Sequence, residues 1–283
     1  LCALVGSAAS LVAQRTWVVD TQPGLGVDFT DIQPAVAAAA AGDRIEIRNG
    51  ATLPPSYAPF TVTKPLDLVA MHGAYVAYFR VENLAASGAV TVTGLRCRPS
   101  PTFQTQDQCV LIRNCAGTVL LRQLEVRGVP ADAFDSCIVR DAAVVAFQDL
   151  FSGGAGLVVQ RSGVSVVDSQ IFGGNGGGSA SNAAGYEGGT GLMVQDGSVF
   201  VADTDLGGGD GGYGWAFGGV GGNGVQVVAP SSGRLTIAGG QVVRGLGSYT
   251  VNGAAVVGAA TVTADCAITG SASAIVTVPA ITM

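Results

Sequence analysis

The sequence predicts an all-β parallel solenoid of about nine coils with one helix at its amino-terminal end. Three features predict it: an apolar pattern that recurs along the chain, Gly-rich connections of unequal length, and a composition able to fill a large core. The 283 residues are 48% hydrophobic, 12% charged and 6% aromatic. That excludes intrinsic disorder and a disulfide-stapled miniature. The 43 Gly follow no three-residue period with Pro, which excludes collagen. Past the first residues no apolar run approaches a bilayer-spanning length, so no membrane span is expected. Fourteen Lys plus Arg against 20 Asp plus Glu give a net charge of -6 and argue against a nucleic-acid partner.

Leu1 to Ala13 is apolar and rich in small residues, about the length of a signal-peptide core, and polar Gln14 and Arg15 follow. It reads as a truncated secretory leader over 1–14. The domain over 15–283 is then secreted or held at the cell surface; the alternative is a buried first strand. Thr30 to Gly42 is the helix expected. Thr30 and Gln33 match a capping box, Pro34 falls in the first turn, Gly42 ends the run, and Ile32, Val36 and Ala39 share a face. Over about 30–42 such a helix covers the open end of a solenoid whose coils fill about 45–283.

Beyond it, apolar residues recur at i, i+2 and i+7. The matches are Ile45/Ile47/Thr52, Leu66/Leu68/Gly73, Val90/Val92/Cys97, Val119/Leu121/Val126, Val144/Ala146/Phe151, Val164/Val166/Ile171, Val199/Val201/Leu206, Leu235/Ile237/Val242 and Thr261/Thr263/Ile268. Residues i and i+2 point the same way on a strand. A polar or Gly pair near i+4, such as Asp168-Ser169, Asp203-Thr204 or Gly239-Gly240, then bends the chain. Gly128, Gly153, Gly173, Gly208 and Gly270 stand at i+9, where a turn out of a strand calls for positive φ. A second short strand precedes each motif, as at Val110–Ile112, Ile138–Val139, Leu157–Val159, Leu192–Val194, Val225–Val228 and Ala255–Val257. Constant motifs joined by variable connections are the mark of stacked coils. A β-sandwich would instead leave two-residue turns between alternating strands.

The runs Trp17-Val-Val-Asp20, Asp28-Phe-Thr-Asp-Ile-Gln33, Ala35-Val36 and Gly42-Asp-Arg-Ile-Glu-Ile-Arg-Asn-Gly50 resemble the opening of right-handed parallel β-helix proteins of the pectin-lyase-like superfamily. The resemblance implies a right-handed parallel β-helix entered through a capping helix. Members that cut polyuronides use carboxylates holding Ca²⁺ beside an Arg or Lys base, or paired Asp residues with a nearby His. This chain has no Asp-Asp pair, and its single histidine, His72, has no acid beside it in sequence.

The repeat places Asp168 and Asp203 at one position of successive coils, a stack of carboxylates suited to Ca²⁺; the alternative is that each bonds local backbone N–H groups. Arg98 and Arg127 share position i+8, Arg113 and Arg140 end equivalent strands, and Arg96 and Arg122 extend the row. That stripe suits a uronate or sulfate, or else pairs with Asp107, Glu125, Asp132, Asp135 and Asp141 as a solvated face. These arginines are expected several coils from Asp168 and Asp203, which argues against one compact lyase site. Of the six Cys, Cys2 leaves with the leader, and Cys97, Cys109, Cys115, Cys137 and Cys266 fit no zinc spacing. They read as buried thiols or as one bridge, with Cys109 and Cys137 before equivalent strands and so stacked.

Two long loops, Gly173 to Gly191 and Gly207 to Gly224, leave the same motif position and should lie side by side. They carry Tyr186, Tyr213, Trp215, Phe217, Asn182 and Asn223, a set that can stack on sugar rings and bond hydroxyls. The alternative is Gly-rich strands packed on one another, with the aromatics tucked onto the coil beneath. The function expected is a secreted or surface module with a structural and binding role that engages polysaccharide through these loops; no residue set earns a catalytic assignment. The alternative is a polysaccharide lyase-like enzyme using Asp168, Asp203, Ca²⁺ and an arginine. The uncapped strand near Met283 points to a further domain or a covering partner.

Overall fold

The computed structural model describes residues 14–48, 57–71, 74–98, 108–128, 153–178, 185–214, 217–228, 234–248, 251–263, 265–272 and 275–278. Short strands of Val, Leu and Ile alternate inward and outward. A strand so narrow can bury its inner face only by stacking on an identical neighbour. Among the described residues three parallel sheets result, one of ten strands and two of seven. The first runs from Thr16–Val19 through Thr118–Arg122, Gly163–Val167 and Ser198–Ala202 to Ile275–Val278. The second contains Arg96–Cys97, Glu125–Arg127, Gln170–Phe172 and Asp205–Gly207, and the third Gln108–Arg113, Ala155–Gln160, Leu192–Gln195 and Val225–Val227. The chain visits the sheets in turn and so winds a parallel β-helix, with the right-handed sense that parallel crossovers take. Its core is a set of columns, such as Leu68, Val92, Leu121, Val166, Val201, Ile237 and Val262, in register and buried.

Several expectations change. No further rung stands between the described strands on either side of the motif at Val144, Ala146 and Phe151. Thr118–Arg122 pairs directly with Gly163–Val167, and Gln108–Arg113 directly with Ala155–Gln160. That motif and Ile138–Val139 lie outside the described residues. Ile45 aligns with Leu68, not Leu66. Thr261 aligns with outward Thr236, while Ala260 and Val262 are the buried pair. The corner that follows is one residue longer, so Ile268 still meets Val242.

The helix is Ile32–Ala38, shorter than the pattern predicts. Asp31, not Thr30, is its N-cap, its carboxylate accepting the Ile32 N–H at 2.8 Å. Gln33 does not close a capping box, because its Oε1 accepts the N–H of Thr61 at 2.8 Å. At the other end the backbone becomes extended at Ala39, and Asp43 accepts the Ala40 N–H at 2.8 Å. Ile32, Ala35 and Val36 are buried, and the helix touches the strands Thr16–Val19, Arg44–Ile47 and Phe60–Val62. No helix among the described residues is long and apolar enough to cross a membrane.

Candidate functional site

Two columns of left-handed residues turn the corners. After the first sheet stand Gly94, Gln123, Asp168, Asp203 and Gly239, and after the third Asn83, Asn114, Arg161 and Asp196, all with positive φ. Asp and Asn tolerate this region because their short polar side chains bond locally. Asp168 and Asp203 therefore hold bend positions, as the sequence places them. The Asp168 carboxylate accepts Gln123 Nε2–H at 3.3 Å, and an Asp203 oxygen lies over Gly239. Among the described residues no group of three or more His, Cys, Asp or Glu converges as a metal-holding set.

The arginines are nearer to these acids than the sequence suggests. The rung carrying Glu125 packs directly against the rung carrying Gln170. A cleft of about 400 Å³ is lined by Arg96, Glu125, Asp168, Asp203 and Asp205 together. Glu125 is the hub. It meets Arg96 at 3.2 Å, Arg98 at 2.6 Å and Arg127 at 3.6 Å. Burial pushes its carboxyl up, but the Arg98 hydrogen bond and the three positive charges outweigh that and leave it below the usual value. The Arg98 guanidinium is correspondingly raised, first by that same hydrogen bond. Arg96 also donates to the Tyr75 hydroxyl at 2.7 Å and lies 5.4 Å from its ring centre. Sequence reading treats Glu125 as one acid among many and misses Tyr75. The legible signal is the outward column Tyr75, Arg96, Glu125, Gln170, Asp205 and Gln241, one residue per rung. Arg113 pairs separately with Glu82 at 2.9 Å. Arg140, Asp107, Asp132, Asp135 and Asp141 lie outside the described residues.

The Gly-rich loops do lie side by side, and a third joins them. Segments 173–178, 207–213 and 244–248 leave the second sheet; 185–191, 217–224 and 251–254 return to the third, with 153–156 beside them. Within the returning layer, Gly185, Gly188 and Gly191 donate to Phe217, Val220 and Asn223, one bond every third residue. Between layers, N–H groups run Gly253 to Gly245 to Gly222 to Gly209 to Gly189 to Gly174 to Gly154 in one unbroken relay. A parallel relay runs Ser248, Gly219, Gly212, Tyr186 and Gly177. The threefold period is that of a polyproline-II-type chain, packed so closely that only Gly fits the contact. Gly128, Gly173 and Gly208, read as positive-φ turns, are instead close-approach positions: a Cβ on each would overlap a carbonyl oxygen of the facing layer. Of the turn set only Gly270 has the predicted conformation, at φ 130.

Polar side chains seal the outer faces. Asn175 Oδ1 accepts the Asp210 N–H and Asp210 Oδ1 the Leu246 N–H, at 2.9 and 2.8 Å. Asn223, expected to bond ligand, is half-buried and accepts the Ala254 N–H at 2.9 Å. Tyr186 is half-buried within the bundle. Tyr213 and Phe217 stand out at its far end, 76% and 72% exposed, not tucked onto a coil. Leu246 and Val251, on the neighbouring loop, are exposed there too. Asn182, Trp215 and His72 lie outside the described residues. Cys97, Cys109 and Cys115 are buried and unbridged; Cys266 is half-buried, and Cys137 lies outside the described residues.

These features define a parallel β-helix with a rigid glycine sandwich built onto the corner between its second and third sheets. No family model matches the chain. No curated protein matches it either. Among solved structures it is similar to a pectin methylesterase mutant in complex with a hexasaccharide, at 16% identity and a TM-score of 0.36, over 94% of this chain and 81% of that chain.

Proposed function

We propose that this chain is a secreted or cell-surface module with a structural and binding role, which engages polysaccharide through the far end of its glycine sandwich. The observation that carries the reading is the exposure of Tyr213 and Phe217 on a support held by relayed backbone hydrogen bonds. An aromatic ring loses little freedom on stacking against a sugar when the backbone beneath it is already fixed. The test is retention on a panel of immobilised polysaccharides. The parent is expected to bind at least one polymer, and a Tyr213→Ala/Phe217→Ala variant to lose at least tenfold in affinity with its melting temperature unchanged. Binding by the double variant equal to the parent's, or no polymer retained, removes the reading.

A second reading is supported by the cleft that gathers Asp168, Asp203 and Asp205 beside Arg96. In it Asp168 and Asp203 hold Ca²⁺ and an arginine acts on a uronate polymer. Cleavage of such polymers that disappears with chelator and in an Asp203→Asn variant supports it; no cleavage of any polymer leaves the binding role.

A further inference from the structure

We infer that Cys97 and Cys109, free thiols in the structure, are oxidised to a disulfide across the corner between the second and third sheets. Cys97 ends the strand Arg96–Cys97, and Cys109 is the second residue of Gln108–Arg113. Both are wholly buried. They flank one corner of the same rung, and the Cys109 thiol reaches the Ala77 carbonyl at 3.3 Å, next to Val76, the residue with which Cys97 aligns. The frame around them is fixed on both sides: Cys97 aligns with Val76 and Val126, and the neighbour of Cys109, Val110, with Phe79 and Leu157. The other described cysteines lie differently. Cys115 turns its thiol to the carbonyls of Arg113 and Val81, at 3.4 and 3.5 Å, and Cys266 is half-buried near Ala267.

The chemistry needs a disulfide oxidant of the oxidised-glutathione class. The two thiols give up two protons and two electrons as the S–S bond forms; the oxidant takes both and leaves as two thiols. Burial, and then the neighbouring thiol, hold the Cys97 thiol well above its usual range, so the folded protein offers little thiolate. The bond therefore forms while the rung is still open, during folding. It competes for Cys109 with a Cys109–Cys137 bridge, which the sequence permits alongside unbridged thiols.

The full chain is refolded in a glutathione redox buffer, quenched in denaturant with an alkylating reagent and digested with trypsin. Pro99 protects the bond after Arg98, so residues 97–113 stay in one peptide. That peptide is expected two hydrogens light and alkylated at neither cysteine. Alkyl groups on both, or a cross-link from it to the peptide 128–140 that carries Cys137, overturns the inference. The oxidised parent is also expected to melt roughly 5–10 °C above the reduced parent. In Cys97→Ala that difference should vanish; its persistence, or equal melting of oxidised and reduced parent, likewise overturns the inference.

Discussion

The Thr204 hydroxyl accepts the backbone N–H of Ser169 from the preceding rung at 3.3 Å while donating to the carbonyl of Ala202 at 2.8 Å. Ser169 repeats the arrangement one rung earlier, accepting the Leu124 N–H at 3.1 Å and donating to Val167. Both hydroxyls are buried just after a left-handed Asp, where the strand pairing of the first sheet has stopped. Thr204→Val keeps the shape and leaves the Ser169 N–H without its partner. Its expected cost is about 1–3 kcal/mol, seen as a lower urea midpoint at constant slope. Thr204→Ser should recover most of it.

The glycine sandwich should reject even a methyl group. A Cβ on Gly188 would overlap the carbonyl oxygen of Gly209 in the facing layer, and one on Gly212 that of Gly177 in the neighbouring segment of its own layer. Gly188→Ala and Gly212→Ala are expected to cost about 1–3 kcal/mol or more, and to speed amide exchange at Gly189, Gly209 and Gly222 ahead of the core strands. Gly163 begins a first-sheet strand with open space around it. Gly163→Ala should stay within about 0.5 kcal/mol of the parent.

The left-handed corners make a sharper statement about Asp203, at φ 46. A β-branched residue there is strained, so Asp203→Val should cost about 1–2 kcal/mol, whereas Asp203→Asn should be close to neutral. Denaturant midpoints of the two variants give the comparison. A large loss in Asp203→Asn would show that the carboxylate charge itself holds this corner.

Asp43 gives the amino-terminal region a dependence on acid. Its carboxylate accepts the Trp17 Nε1–H at 2.9 Å and the N–H groups of Arg15 and Ala40 at 3.0 and 2.8 Å. The Trp17 bond leads in holding its pKa below the usual value of 3.8. A group whose folded pKa is depressed stabilises the protein above its unfolded pKa, near 4, and loses that contribution as pH falls through the folded value. Thermal melts between about pH 5 and pH 2 should therefore show a steeper acid loss in the parent than in Asp43→Asn. Trp17 fluorescence should report the transition.

Much of the fold was legible because a solenoid writes one geometric constraint many times. Val90/Val92, Val119/Leu121, Val164/Val166 and Val199/Val201 all fill the same two inward columns, and the alternation that marks them is local. The register failed where local pattern underdetermines pairing. Thr261 and Thr263 alternate as well as Ala260 and Val262 do, and only the neighbouring strand Arg234–Ala238 selects between them. Val144 and Ala146 carry the same alternation, but the rungs on either side already pair with each other. For the site, the positions of Asp168 and Asp203 followed from the repeat. Glu125 as the hub of three arginines did not, since its partners come from two rungs and its importance lies in distance.

The sequence alone determined that short inward-facing columns stack along one axis, because the inner side chains of each rung have nowhere dry to go except against the next. It also determined that two Gly-rich excursions leave one corner together. Tertiary structure decided what those glycines do. Their backbones approach until N–H groups meet carbonyls both of the neighbouring segment in the same layer and of the opposite layer, a three-residue relationship between distant segments that no local pattern records. It also decided that Asn223 spends its side chain inside the bundle while Tyr213 and Phe217 face solvent, because a side chain's direction there depends on which neighbour occupies each of the three faces of the segment.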